Sequence, residues 1–383
     1  MNNTSFKTLF PSKKLLNRIL FQMDSELSSG KLLPLYETLY TNNELTSKNS
    51  NYANNPNIIF LMNRVLVDLR KRTKQQPIQL HKMELYLLKK AAQLGNNDAI
   101  TLLCYRILMS KSSSSATTPE NQKDIIQSQE LLKQLVKQKH PLSFKIVADL
   151  NCSMGQFEEA KRWYKEYLKS VEPYNKLKPN FDINYWGTQQ KGKVLEKLGE
   201  IEFREGGVQN IISCEKRFLE AIKTVPLKEC VKSYFYLAML YIKYQPTKSK
   251  ILLEQCCTQG FKEAFSEIGY LEMNYFRNPK KAQEWFKLGM ELQQLSCFFG
   301  YFQCCIKLKE WVEAKKCIET INKLKFSNIV TNEADRVNIS TFIHAHTNTI
   351  RSIEEHLSQY TEFDPKPLSN LETTIKDRSK WGF

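Results

Sequence analysis

The amino-acid sequence predicts an all-α protein built from helical hairpins that stack one after another. A pattern between Tyr234 and Ile321 recurs about every thirty residues. Within it, a small residue recurs at a spacing of 31 positions, at Ala238, Gly269 and Gly300. The composition agrees, since 13 Gly and 13 Pro in 383 residues are few for a chain of strands and turns. Stacked hairpins bury their apolar faces only against their neighbours, so chain length sets the number of repeats.

The second helix of each hairpin carries a triplet, in which a small residue is followed by a large apolar residue and then by a small or apolar one. The offsets are four and seven positions, which lie on one face of an α-helix. We expect the small residue to let a neighbouring helix approach closely, while the large one fills the groove beside it. The triplets are Ser249/Leu253/Cys256, Ala282/Phe286/Gly289 and Ala314/Ile318/Ile321.

The N-terminal stretch combines basic charge with an apolar helical face. Its basic residues precede the first acid, Asp24, and are Lys7, Lys13, Lys14 and Arg18. Its apolar face consists of Leu15, Leu16, Ile19 and Leu20. This combination is typical of a mitochondrial targeting segment, and it is equally compatible with an ordinary first helix whose basic face is solvated. The sequence leaves both interpretations open.

The rest of the chain divides by composition and periodicity. In order, the sequence predicts a targeting segment at 1–23, N-terminal helices at 24–79, tetratricopeptide-like repeats at 80–330, C-terminal capping helices at 331–360 and a flexible tail at 361–383. A serine-rich insertion at 111–122 is expected to be flexible and exposed. The last helices are expected to be atypical because they close the stack.

Charge and cysteine content restrict the classes of partner and compartment. The formal net charge of +16 favours an anionic surface such as membrane lipid, nucleic acid or an acidic polypeptide. The run Arg70-Lys71-Arg72 lies at a predicted helix end, where it complements the helix dipole or forms a docking patch. The longest apolar candidate, Leu295 to Ile306, is too short to span a bilayer. Ten cysteines without a CxxC pair indicate a reducing compartment.

No constellation of residues predicts catalysis, a cofactor or a metal site. Phosphate-binding glycine motifs, HExxH and Gly-x-Ser-x-Gly are absent from the sequence. His344 and His346 are the only close histidine pair, and they point to different faces of a helix. Cys297, Cys304 and Cys317 fall on neighbouring helices, where packing in the core is the favoured interpretation. We therefore expect a protein that is not an enzyme.

Several hairpins resemble tetratricopeptide repeats, most clearly His140 to Pro173 and Val194 to Pro226. In proteins of that class, the first helices line a concave surface. The resemblance therefore implies a partner-binding groove of aromatic, methionine and aliphatic side chains, suited to an apolar or unfolded segment. We call this set the apolar strip, and it comprises Phe235, Met239, Ile242, Tyr270, Met273 and Tyr301. The alternative is that the strip is core, covered by the N-terminal helices or by the tail.

Longer phrases of the sequence resemble one family. They are the stretches Pro11–Gln22, Ala91–Ile100, Gly260–Glu263, Gly269–Phe276, Glu284–Glu291 and Cys297–Phe302. In this order they are similar to a yeast mitochondrial matrix protein family required for assembly of cytochrome c oxidase, specifically for export of the C-terminal domain of subunit 2. The resemblance implies a matrix protein loosely attached to the inner membrane, acting with the insertion and export machinery. It supplies no catalytic or binding residue.

Two functional hypotheses follow. The first is a chaperone-like adaptor whose groove holds a segment of subunit 2, or of its insertion partner, while basic residues rest on the anionic inner membrane. The second is a helical-repeat RNA-binding factor for mitochondrial translation, which the positive charge and the repeat period also suit. A repeat protein that reads RNA should present polar and basic residues on its concave face, whereas the strip is mainly apolar. Nucleic acid is therefore the less favoured partner.

Overall fold

The computed structural model consists of α-helices joined by short connections. It describes residues 6, 10, 12–23, 25, 27–45, 52, 54–73, 77–110, 119–177, 185–325 and 332–361. Eighteen α-helices and one short 3-10 helix account for most of these ranges, which contain no strand. The predicted all-α, tetratricopeptide-like helical-hairpin fold is confirmed. The chain separates into two compact units, residues 1–233 and 234–383, and the division falls inside the predicted repeat array.

The first unit contains ten helices within the described ranges. They are α1 (Lys13–Gln22), α2 (Ser29–Asn42), α3 (Pro56–Thr73), α4 (Ile78–Gln93), α5 (Asn97–Ser110), α6 (Pro119–Lys137), α7 (Pro141–Ser153), α8 (Phe157–Leu177), α9 (Tyr185–Glu205) and α10 (Val208–Thr224). A 3-10 turn, Leu227–Glu229, follows α10. Each helix from α3 to α9 packs against the next one along the chain, as expected for stacked hairpins.

The second unit begins within α11 and continues the hairpin pattern. Its helices are α11 (Val231–Tyr241), α12 (Pro246–Thr258), α13 (Lys262–Asn274), α14 (Pro279–Glu291), α15 (Leu295–Leu308), α16 (Trp311–Lys325), α17 (Glu333–Ala345) and α18 (Thr347–Thr361). Each helix from α12 to α16 packs against the next, and α13 also packs against α15. That second contact stacks one hairpin on the following one.

Small residues lie where large side chains from the next helix pack, as the triplets predict. In the first unit, a Cβ built on Gly199 would lie 2.6 Å from Cε1 of Phe218, so only glycine leaves room for that ring. In the second unit, the Ser249 hydroxyl donates a hydrogen bond of 2.8 Å to the Ala238 carbonyl oxygen. In both hairpins, a small residue of the first helix lies where the second helix approaches it closely.

The basic N-terminal helix α1 is part of the core of the first unit. Leu16 and Ile19 have no exposed surface, and α1 packs against α2 and α3. Lys13, Lys14 and Arg18 remain exposed on the opposite side. The helix therefore has the solvated basic face of the ordinary-helix interpretation, while its role in targeting stays a prediction.

Two residues of the basic run at the end of α3 form ion pairs inside the first unit. Arg70 Nε lies 2.9 Å from Oε1 of the buried Glu84, and Arg72 Nε lies 2.7 Å from Oδ2 of Asp68. Lys71 is exposed between them. These contacts favour a structural role for the arginines over a docking patch.

Helix α6 begins at Pro119, within the stretch predicted as a flexible insertion. Residues 111–118 lie outside the described part of the chain. Ile125, Ser128, Leu132 and Leu135 recur at helical spacing and are buried, so α6 packs into the unit rather than extending from it. The predicted tail also lies outside the described part of the chain from residue 362 onward.

The last two described helices pack on the hairpin before them. The ring of Phe342 on α17 stacks on that of Phe299 on α15, with centroids 4.2 Å apart. His356 on α18 stacks on Trp311 at the start of α16, with centroids 5.2 Å apart. These aromatic contacts join both helices to the preceding hairpin, while their role as caps stays a prediction.

Candidate partner-binding surface

The apolar strip follows the first helices of three successive hairpins in the second unit. Phe235, Met239 and Ile242 lie on α11 or directly after it, whereas Tyr270 and Met273 lie on α13 and Tyr301 on α15. The first three residues and Tyr270 are half-buried. Met273 and Tyr301 are only 5% and 8% exposed. The strip therefore has an accessible part of four residues, and its other two belong to the buried interior.

Tyr270 is held in place by two contacts. Its hydroxyl donates a hydrogen bond of 3.3 Å to the carbonyl oxygen of Ser296, at the start of α15. Its ring meets the ring of Phe286 edge to face, with centroids 5.0 Å apart. Because both contacts join α13 to neighbouring helices, the part of the ring that remains accessible is presented in a fixed orientation.

Phe235 and Met273 show how the two classes of strip residue differ. The ring of Phe235 packs on that of Phe261, with centroids 5.1 Å apart, and keeps part of its surface in water. The Met273 sulfur instead lies 3.6 Å from the Cys304 thiol inside the unit. Phe235 can contact a partner directly, whereas Met273 contributes to the packing between α13 and α15.

Three titratable groups in or beside the strip have pKa values shifted towards the uncharged form. Burial raises the pKa of Tyr270 to about 12. Burial also raises the pKa of Tyr301 well above its ordinary value. The carboxyl of Glu267, on α13, has its pKa raised by burial as well. Tyr270 therefore offers apolar contact and a neutral hydroxyl at this surface.

The cysteines of the chain are free thiols, and their surroundings do not activate them. Nine of the ten are buried, and Cys152 is half-buried. Burial raises the pKa of Cys297, Cys304 and Cys317 to about 12, so their thiolate fraction at neutral pH is very small. No group of three or more His, Cys, Asp or Glu able to hold a metal ion occurs among the described residues.

Sequence reasoning missed one aromatic contributor to this surface. Phe261 precedes α13 as its N-cap residue, so it falls outside the helical positions from which the strip was predicted. The available signal was an aromatic residue directly after Gly260, whose positive φ of 72° closes the preceding helix. An aromatic residue after such a turn packs back on the neighbouring hairpin, and here it supports Phe235.

The hairpin fold and the apolar strip define a tetratricopeptide-like helical-repeat protein. A sequence profile described as MSS2 N-terminal domain matches residues 2–96. The protein named "Protein MSS2, mitochondrial", from Saccharomyces cerevisiae, is 34% identical over 361 residues, which cover 91% of this chain and 94% of that protein. The chain therefore belongs to the MSS2 family.

Two solved structures share the helical architecture at low sequence identity. Yeast Tom70 is 13% identical, with a TM-score of 0.43 over 95% of this chain and 69% of that chain. The human IFIT1 dimer with PPP-AAAA is 11% identical, with a TM-score of 0.44 over 88% of this chain and 78% of that chain. At TM-scores this low, neither likeness carries an inference about partner or activity.

None of the helices in the described part of the chain has the length and apolar character that a membrane span requires.

Proposed function

We propose that this chain is a non-enzymatic mitochondrial adaptor, or chaperone-like factor, for the assembly of cytochrome c oxidase. Membership of the MSS2 family supports the mitochondrial location, since the yeast relative is named as a mitochondrial protein. The family resemblance supports the more specific role, which is to assist export of the C-terminal domain of subunit 2 across the inner membrane. The chain acts from the matrix, peripherally associated with that membrane.

The observation that carries this proposal is the accessible part of the apolar strip. Phe235, Met239, Ile242 and Tyr270 leave apolar surface accessible on or directly after consecutive first helices. A segment awaiting export can bury its own apolar side chains there, each worth about 1.5–3 kcal/mol when fully buried. Methionine adapts its shape to different side chains, which suits an unfolded segment. Because no bond forms, the segment leaves once the export machinery takes it.

Positive charge supports the proposed location at the membrane surface. The chain carries a formal net charge of +16. Each Lys or Arg close to an anionic leaflet contributes about 1 kcal/mol of attraction before screening by salt. Peripheral association with the inner membrane therefore needs no spanning helix, and it is expected to weaken as ionic strength rises.

Cross-linking in isolated mitochondria tests the adaptor. Mitochondrial translation products are radiolabelled, a short cross-linker is added, and this protein is captured under denaturing conditions. We compare wild type with Met239→Glu, which places a charge on the accessible part of the strip. Tyr244→Glu is the matched control, because Tyr244 is 84% exposed just beyond the strip. Circular dichroism checks that both variants remain folded.

The adaptor predicts a labelled band containing newly made subunit 2, which Met239→Glu reduces and Tyr244→Glu leaves unchanged. Recovery of mitochondrial RNA without labelled polypeptide would instead support the RNA-binding alternative. A subunit 2 band that is equally strong in both variants would place the cargo elsewhere on the molecule. The absence of both polypeptide and RNA would contradict both functions.

A further inference from the structure

An apolar groove lies in the first unit between α5, α6, α7 and α8. Its volume is about 950 Å³, near the upper end of the roughly 300–1,000 Å³ usual for ligand pockets. Leu108 and Leu150 line the groove and pack against one core cluster, while Val136 and Trp163 line it and pack against another. The floor of the groove is therefore rigid, because it rests on the seam between two packed cores.

The rim of the groove is basic. Lys133 and Lys137 lie one turn apart on α6, and both are exposed. Neither lysine has an ion-pair partner among the described residues, and none of the lining residues described is Asp or Glu. An occupant with negative charge beside its apolar surface is therefore favoured over a neutral or basic one.

The shape of the groove matches a helix of about three turns. The lining residues of α6 run from Ile125 to Lys137, a distance of about 18 Å at 1.5 Å per residue. Met154 lines the groove and is 62% exposed, so the groove is open to water along its edge. An occupant keeps one face solvated and must be amphipathic. Met109 and Met154 add side chains that adapt to the shape of what binds.

We propose that this groove binds an amphipathic α-helix that carries acidic residues beside its apolar face. The apolar face packs on Leu108, Val136 and Leu150, and the acidic residues pair with Lys133 and Lys137. A lipid acyl chain fits less well, because it gains most from a site that encloses it on every side. The groove lies in the first unit and the apolar strip in the second, so the occupant of the groove does not depend on which cargo the strip binds.

A model peptide tests the proposal directly. The probe is a dye-labelled peptide of about fourteen residues with leucines at helical i, i+3, i+4 and i+7 spacing and glutamates flanking that stripe. A second peptide carries lysines in place of the glutamates. Fluorescence anisotropy with the full chain is expected to show binding of the glutamate peptide, and weaker binding of the lysine peptide.

Matched variants locate the binding site. Met154→Glu places an acid in the groove, whereas Ile126→Glu makes the same change at a similarly exposed position, 57%, that does not line it. We expect Met154→Glu to weaken binding about tenfold or more and Ile126→Glu to leave it unchanged. The double variant Lys133→Glu/Lys137→Glu should weaken binding of the glutamate peptide by up to about tenfold. It should also bind the lysine peptide more tightly than the glutamate peptide.

Three results would overturn the proposal. The first is no binding of the glutamate peptide by folded wild type. The second is equal loss in Met154→Glu and Ile126→Glu, which would place the peptide outside the groove. The third is saturable binding of oleate that Met154→Glu abolishes, without peptide binding, which would identify the groove as a lipid site.

Discussion

The ring of Phe286 on α14 occupies the space that a side chain at Gly269 on α13 would need. A Cβ built on Gly269 would lie 2.5 Å from Cε1 of Phe286, closer than real side chains approach. The same ring atom would lie 2.3 Å from a Cβ on Gly300, which belongs to the next hairpin. One ring therefore fixes the spacing of three helices.

Gly269→Leu should destabilise the second unit strongly. The new side chain meets the Phe286 ring, which has no free space to move into, so we expect a loss of about 3 kcal/mol or more. Thermal unfolding monitored by circular dichroism measures this loss of stability. Adding Phe286→Ala removes the clash, so the double variant should lose less than the sum of the two single variants. An unchanged unfolding temperature for Gly269→Leu would contradict this packing.

Arg70→Ala should destabilise the first unit by about 2–3 kcal/mol, because it leaves the buried Glu84 carboxylate without its bidentate partner. Lys71→Ala, at the exposed neighbouring position, should change stability by less than about 0.5 kcal/mol. Urea denaturation compares the two. Glu84→Gln added to Arg70→Ala should recover part of the loss, and failure to do so would indicate that the arginine acts through its packing alone.

Glu267→Gln should stabilise the second unit more at alkaline than at acidic pH. Burial raises the pKa of Glu267 above its ordinary value of 4.5, so the folded state holds the proton after the unfolded state has released it. Stability therefore falls as pH rises from the ordinary pKa through the raised one, and glutamine removes that loss. Urea unfolding at about pH 4 and about pH 8 measures the difference. Glu284→Gln, at an exposed position, is the control. A gain that is equal at both pH values would argue against this account.

Leu16→Ala should cost about 2–5 kcal/mol, because Leu16 is fully buried in the core of the first unit. Phe21→Ala on the same helix should have little effect, since Phe21 is 84% exposed. Chemical denaturation of both variants compares them. Similar small effects would mean that α1 contributes little to the folded core and that its sequence pattern serves targeting alone.

The hairpin period could be predicted because small and large residues recur at fixed offsets along the chain. Gly269, Phe286 and Gly300 are visible as small and large residues at those offsets, and their contacts follow from helical geometry. The start of α6 was harder to predict, because the serines before Pro119 resemble a linker. The apolar residues Ile125 and Leu132, which are buried in the structure, were the sequence signal for this helix.

The accessible extent of the apolar strip could not be predicted. Tyr270 and Met273 lie one turn apart on α13, yet one is half-buried and the other is almost fully buried. Their exposure depends on neighbours from other helices, which the periodicity of a single helix does not encode. The packing of α1 could not be predicted for a related reason, because the same amphipathic pattern is typical of a targeting segment and of a helix in a protein core.

Because the thiols are buried, their chemical labelling reports local unfolding of the helices around them. Cys214, in the first unit, and Cys256, Cys305 and Cys317, in the second, have little or no exposed surface in the folded state. A thiol reagent can reach them only after the surrounding helices separate, so the rate of labelling records how often each hairpin opens. Mass spectrometry of the labelled peptides would then rank the hairpins by local stability without any substitution or added probe.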